Sequence, residues 1–240
     1  MKIEDIQETA DSMPIYKKVN KDFFKKWSHD MAYVLGFFAA DGSMIKTKRG
    51  THFIAIQVID KEIVYAIRKV MDSEHTISKR ERFGNESDAY RLQVGSKEMF
   101  EDLIQLGFVP GKTKRLAMPV IPKKYFGDFV RGYFDGDGNV WVGFKHKERS
   151  KALYTISTVF TSGTKEFLIN FQLRLQELIS TSGSLVEKKG LQCSSLQYSI
   201  GDTLKLYDFM YNRGTLTSKL FLNRKKVVFE KYIRGRSSTG

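Results

Sequence analysis

The chain has 240 residues, 41% of them hydrophobic, and a formal net charge of +13 from 40 Lys+Arg against 27 Asp+Glu. That length supports a real core in one large domain or two repeats, and the basic excess points first to nucleic acid and then to an anionic membrane surface. No run approaches the ~18 apolar residues that cross a bilayer, the start is too polar for a secretory signal, and the lone Cys193 excludes an internal disulfide and fits an intracellular, reducing compartment, either a bacterial or archaeal cytoplasm or an organelle matrix or stroma.

Residues 1–27 read as an N-terminal arm broken by Pro14, with Phe23, Phe24 and Trp27 available to pin it to the body. Ser28 is a candidate N-cap for an apolar helix closing on Gly36-Phe37-Phe38-Ala39-Ala40-Asp41-Gly42. Ser43 to Lys48 leads to a turn at Arg49-Gly50, and Thr51 to Ile59 is a strand rich in β-branched residues. Asp60 to Val70 has helical spacing, with Ile63, Ile67 and Val70 on one face. Thr76 to Arg82 and Ala89 to Val94 form a hairpin around Gly84-Asn85, and Ser96 caps a short helix ended by Gly107. The stretch Gly107 to Thr113 imitates a phosphate-binding loop but has three residues between its glycines, not the required four, and follows a helix rather than a strand.

Three of the four prolines lie in 110–122, which reads as a linker. A second apolar helix then closes on Gly132-Tyr133-Phe134-Asp135-Gly136-Asp137-Gly138, and the order repeats. Asn139 to Lys145 and Ala152 to Ser162 are strands, Thr164 to Ile179 a helix, and Ser184 to Lys188 and Gln192 to Ile200 a hairpin around Lys189-Gly190. Asp202 caps a helix to Tyr211, and Leu220 to Ile233 is a terminal basic helix. The fold class expected is α+β: two pseudo-symmetric αββαββα halves, each with a curved antiparallel sheet, joined through the two apolar helices. The expected units are an arm over 1–27, a first repeat over 28–109, a linker over 110–122, a second repeat over 123–233 and a polar tail over 234–240.

The small residues Gly36 and Ala40, and Gly132 and Gly136, lie one turn apart and let two helices approach closely. Both helices then stop at Gly42 and Gly138, residues suited to a left-handed cap, with Asp41 and Asp137 side by side. A carboxylate at a helix C-terminus is opposed by the dipole and by its like-charged neighbour; a divalent cation reverses both penalties. The alternative is that each Asp merely ends a helix. The four His (29, 52, 75 and 146) have no metal-ligand spacing, which favours a hard, carboxylate-bound ion over zinc.

Strand alternation sets out a candidate nucleic-acid face: Gln57; Ser78, Arg80 and Arg82; and Arg91 and Gln93, with Lys46 and Lys48 beside them. In the second half the corresponding candidates are Lys145, Gln192, Gln197 and Ser199. Arg and Gln make the bidentate contacts that read guanine and adenine, although solvated strand faces look the same.

The paired motifs, their spacing and the repeat order over roughly Ser28 to Ile233 resemble the LAGLIDADG homing endonucleases in their single-chain, two-motif form. The resemblance implies a monomeric, site-specific double-strand DNA endonuclease, intron- or intein-associated, cutting a long asymmetric target across the minor groove to leave short 3′ overhangs. It implies Asp41 and Asp137 as ligands of Mg2+ or Mn2+, helped by the carbonyls of Ala40 and Gly136, with Ca2+ supporting binding without cleavage. It also implies weaker catalytic roles for Asp60 after the second strand, for Thr164 in the second half, and for Lys112 and Lys225 after the last helix of each half. The first motif carries Ala39 where the second carries Asp135, at a position that is not the metal ligand. The rival readings are an RNA-splicing maturase, which takes intron RNA as partner, and a non-catalytic DNA-binding regulator on the same scaffold.

Overall fold

The Ser28 hydroxyl accepts the Met31 N–H at 3.0 Å and starts α1, His29–Asp41. Residues Met31 through Ala39 are buried on every side of this helix, as expected for one at the centre of a domain. The computed structural model describes residues 17–81, 87–111, 115–145, 153–187, 193–212, 214 and 217–237. After α1 come β1 (Gly42–Lys46), β2 (His52–Val58), α2 (Lys61–Val70), β3 (Ile77–Arg80), β4 (Ala89–Gly95) and α3 (Lys97–Gln105). A short 3-10 turn, Lys123–Tyr125, leads into α4 (Phe126–Asp137), β5 (Gly138–Lys145), β6 (Leu153–Ser162), α5 (Lys165–Ile179), β7 (Ser184–Glu187), β8 (Ser194–Tyr198), α6 (Ile200–Tyr211) and α7 (Asn223–Ser237).

Each half folds its strands into one antiparallel sheet, in the orders β1-β2-β4-β3 and β5-β6-β8-β7. One face of each sheet is apolar and closes on the helices. Ile54, Ile56, Leu92 and Val94 do this in the first half, and Ile156, Phe160 and Leu196 in the second; all are at most 5% exposed. The inner faces and α1 and α4 form one continuous core. The 17–27 segment is fastened by Asn20 N–H to Met71 O (3.0 Å) and Glu74 N–H to Lys18 O (2.9 Å), with Phe23 and Phe24 buried.

Three expectations are corrected. Gly42 and Gly138 are extended (φ −79° and −83°), not left-handed. Glycine is needed there because a Cβ would lie 2.2 Å from the Phe38 ring and 2.4 Å from the Phe134 ring, which fold back over the helix ends. α6 begins at Ile200 with Ser199 in the cap position, while Asp202 instead accepts from Ser182 N–H (3.0 Å) and Oγ (3.1 Å). α7 continues through Ser237, so the stretch from 234 begins inside a helix.

Candidate active site and nucleic-acid interface

α1 and α4 run side by side in the same direction, as their contacts advance together. Tyr33 and Phe37 meet Gly132, Gly36 meets Phe129 and Tyr133, and Ala40 meets Gly136. This register ends both helices together and sets Asp41 beside Asp137. A Cβ on Gly136 would lie 3.0 Å from Asp41 Oδ2. Asp41 is half-buried and Asp137 exposed, and each is followed directly by the first strand of its sheet. The acids therefore stand at the entry of the chain into each sheet.

Two carboxylates and the adjoining carbonyls of Ala40 and Gly136 are hard oxygen donors, the set that suits Mg2+ or Ca2+. Among the described residues no group of three or more His, Cys, Asp or Glu offers a rival metal site.

Lys225 reaches the end of α4 from the start of α7. It is 7% exposed, and its ammonium donates to the carbonyls of Phe134 (2.7 Å), Asp135 (2.7 Å), Gly138 (2.6 Å) and, more weakly, Gly136 (3.2 Å). Burial pulls its pKa down to about 8, against the opposing pull of Asp135. The α4 C-terminal carbonyls and helix dipole also favour the charged form. The side chain is thus committed to the backbone of the second motif, and the Gly136 carbonyl is shared with it.

Asp60 caps α2 by position but not with its side chain, which instead forms a two-pronged pair with Arg224: Nε to Oδ1 at 2.7 Å and Nη2 to Oδ2 at 2.6 Å. Thr164, in the matching place before α5, accepts the Leu116 N–H at 3.2 Å. The closing segment of each half therefore reaches the other half's post-strand residue. Arg224 escaped the sequence reading; its adjacency to Lys225 was the available signal. Lys112 lies outside the described residues.

The second motif helix carries buried polar groups that α1 lacks. Asp135 accepts the Tyr33 hydroxyl (2.7 Å) and the Leu222 N–H (2.8 Å); burial pushes its pKa up to about 6 against those two bonds. Asp128 receives Arg131 Nη2 (2.8 Å) and Ser218 N–H (2.9 Å), with His29 Nδ1 at 2.7 Å. Arg131 also donates to the carbonyls of Leu220 (2.9 Å), Ser218 (2.6 Å) and Met210. These bonds fasten the 218–222 segment across both motif helices and so deliver Arg224 and Lys225.

Strand pairing fixes the outward face of the first sheet. Gln57 opposes Arg91, which also opposes Ser78; Ala55 opposes Gln93; and Arg80 opposes Ala89. These residues share the side away from Ile56 and Leu92. Lys46 does not: it opposes His52, whose ring packs on Phe100 of α3 at 4.7 Å, so it points to the helix side, in step with Met44. Lys48 is exposed in the turn after β1. In the second sheet Lys145 and Gln197 are outward and exposed, and Ser199 follows them at the α6 cap. Arg82 and Gln192 lie outside the described residues. Trp141, unmarked from sequence, stands on the same outward face, 42% exposed.

Residues 28–106 match the model of the LAGLIDADG-like domain. Over 233 residues the chain is 26% identical to the DNA-directed RNA polymerase subunit Rpo1C of Methanocaldococcus jannaschii, a match covering 87% of this chain and 26% of that protein. The chain thus spans about a quarter of the length of this curated relative. Among solved structures, the homing endonuclease I-WcaI bound to its DNA recognition sequence superposes with a TM-score of 0.56 at 19% identity, covering 86% of this chain and 90% of that one. I-SmaMI bound to uncleaved DNA target in the presence of calcium ions gives a TM-score of 0.58 at 10% identity, covering 87% and 90%. At these identities the likeness is one of fold.

Proposed function

We propose that this chain, which shares the fold of the homing endonuclease I-WcaI, is a single-chain, two-motif, site-specific endonuclease that binds long duplex DNA as a monomer and cuts both strands between its two sheets. The observation that carries this reading is the pairing of Asp41 with Asp137 at the ends of two close-packed helices, flanked by two outward sheet faces. The dipole at a helix C-terminus opposes a carboxylate, and both acids are hard oxygen donors that suit a divalent cation beside a phosphate.

In this reading the sheets hold the duplex so that one scissile phosphate lies near each acid. A bound Mg2+ or Mn2+ would supply an activated water and stabilise the leaving 3′ oxygen. Asp41 and Asp137 would hold the ion by their carboxylates, assisted by the carbonyls of Ala40 and Gly136. Asp60, oriented by Arg224, and Thr164 order the surrounding water on either side. Lys225 acts as a positioning residue, fixing the end of α4 so that Asp137 presents its carboxylate at a constant place. Lys112 is the candidate basic group from the first half.

The biological setting that fits is homing from an intron or intein in a reducing compartment. The match to about a quarter of a much longer polymerase subunit supports carriage inside a host protein. The test is selection from a randomised duplex library by the full chain. Double-strand cutting of an enriched sequence in Mg2+, binding without cutting in Ca2+ and no cutting in EDTA are expected. Tight sequence-specific binding with no cutting in any divalent ion would make the chain a regulator, and preferential binding of structured RNA would make it a maturase.

A further inference from the structure

The outward faces of the two sheets differ in chemistry. The first presents Gln57, Arg80, Arg91 and Gln93, side chains that hydrogen-bond guanine and adenine edges, with half-buried Ile45 and Phe53 at its β1 side. The second presents Trp141, Leu153 and Val186, which are 42%, 50% and 40% exposed, and half-buried Val159. Their pairing proves the common face: Leu153 opposes Lys145, Trp141 opposes Ser157, Val159 opposes Gln197, and Val186 opposes Ser195. The core side of the same strands is taken by Val140, Ile156, Phe160 and Leu196.

The indole of Trp141 is laid down on the sheet. A Cβ at Gly143 would meet its Cζ2 at 2.5 Å, so the missing side chain is what allows the ring to lie over the strand. The Lys145 ammonium stands 5.8 Å from the ring centre. Apolar side chains this exposed, set among Lys145, Ser157, Ser195 and Gln197 on the sheet that follows the exposed acid at the end of α4, are unfavourable in water and fit an occupant. The occupant whose charge and position fit is the duplex that the proposed function places on the first sheet. In its major groove the apolar feature of the base edges is the thymine C5-methyl group, which apolar side chains contact.

Resting on the DNA-binding reading above, we propose that the two halves of the target are read by different chemistry, and that the half beneath β5–β8 is recognised through thymine methyls packed on Trp141, Leu153, Val159 and Val186. The half beneath the first sheet is then read through guanine and adenine hydrogen bonds.

The experiment is binding-site selection by the full chain in Ca2+, followed by replacement of thymine with deoxyuridine in one half of the selected duplex at a time. Deoxyuridine keeps every hydrogen bond and lacks the methyl. The expected result is thymine enrichment in one half and a loss of affinity there of about fourfold per methyl removed, with no effect of deoxyuridine in the other half. Trp141→Ala and, independently, Val186→Thr should abolish that sensitivity and spare the base preference of the other half. Arg91→Ala should do the reverse. A selected site without thymine enrichment, or one bound equally well with deoxyuridine, overturns the inference while leaving DNA binding intact. Failure to select any duplex overturns the DNA reading itself and this inference with it. A change of oligomeric state in Trp141→Ala with unchanged base preference would assign these apolar side chains to a second copy of the chain and also overturn it.

Discussion

The Phe129 carbonyl oxygen occupies the space where a side chain on Gly36 would begin: a Cβ there would lie 2.1 Å from it. Gly132 stands in the same relation to the Tyr33 carbonyl, at 2.0 Å. Backbone meets backbone at both points, so neither contact relaxes by a rotamer change. Gly36→Ala or Gly132→Ala should cost about 1–3 kcal/mol by overpacking. Cleavage should fall more than stability, because a shift of the helices moves both acids. Denaturant melts set beside cleavage rates check this; a variant with wild-type rate and melting point would contradict the close contact.

The Asp128–Arg131 pair ties the 218–222 segment to α4 with both side chains almost fully enclosed. Arg131→Met leaves a buried carboxylate with fewer donors and should cost about 3–5 kcal/mol. The double change Asp128→Leu with Arg131→Met should cost less than the sum of the two single changes, because it removes both charges. Equilibrium unfolding of the two singles and the double measures the coupling; strict additivity would contradict it.

Lys225→Met removes the donor from four carbonyls at the end of α4, at an expected cost of about 1–3 kcal/mol. In the proposed mechanism the strand served by Asp137 should then be nicked more slowly than the strand served by Asp41, with DNA affinity in Ca2+ unchanged. A strand-resolved nicking assay reads the difference. An equal loss on both strands, with stability intact, would instead make Lys225 a group acting on the phosphates.

Strand alternation gave the orientation of most of this structure correctly. Ile54 and Ile56 against Gln57, and Leu92 and Val94 against Arg91 and Gln93, declare which way β2 and β4 face because only one side of an antiparallel sheet is buried here. The helix join was legible for a similar reason, since glycine in the middle of an apolar helix is costly unless something must approach. Contacts between distant segments were not legible. Nothing local tells Asp60 to seek Arg224 or Thr164 to seek Leu116, since each pair is assembled by the docking of one half on the other. Gly42 and Gly138 looked like conformational glycines and are steric ones, governed by rings four residues back. Lys46 is misplaced unless β1 is counted from Gly42, which puts it in step with Met44. Trp141 draws its place from Gly143, a dependence invisible without the ring's orientation.

Asp41 and Asp137 carry the proposed chemistry, and the measurement is cleavage in Mg2+ by Asp41→Asn, Asp137→Asn and the double variant, set beside DNA affinity in Ca2+ and thermal melting. A carboxylate lost from a helix C-terminus beside a like charge should leave the apo protein as stable or raise its stability by about 0.3–1 kcal/mol. Binding should persist, cleavage by each single variant should collapse on at least one strand, and the double variant should cut neither. Double-strand cutting by the double variant at near the wild-type rate would contradict the assignment, and the two acids would then be no more than the ends of two helices.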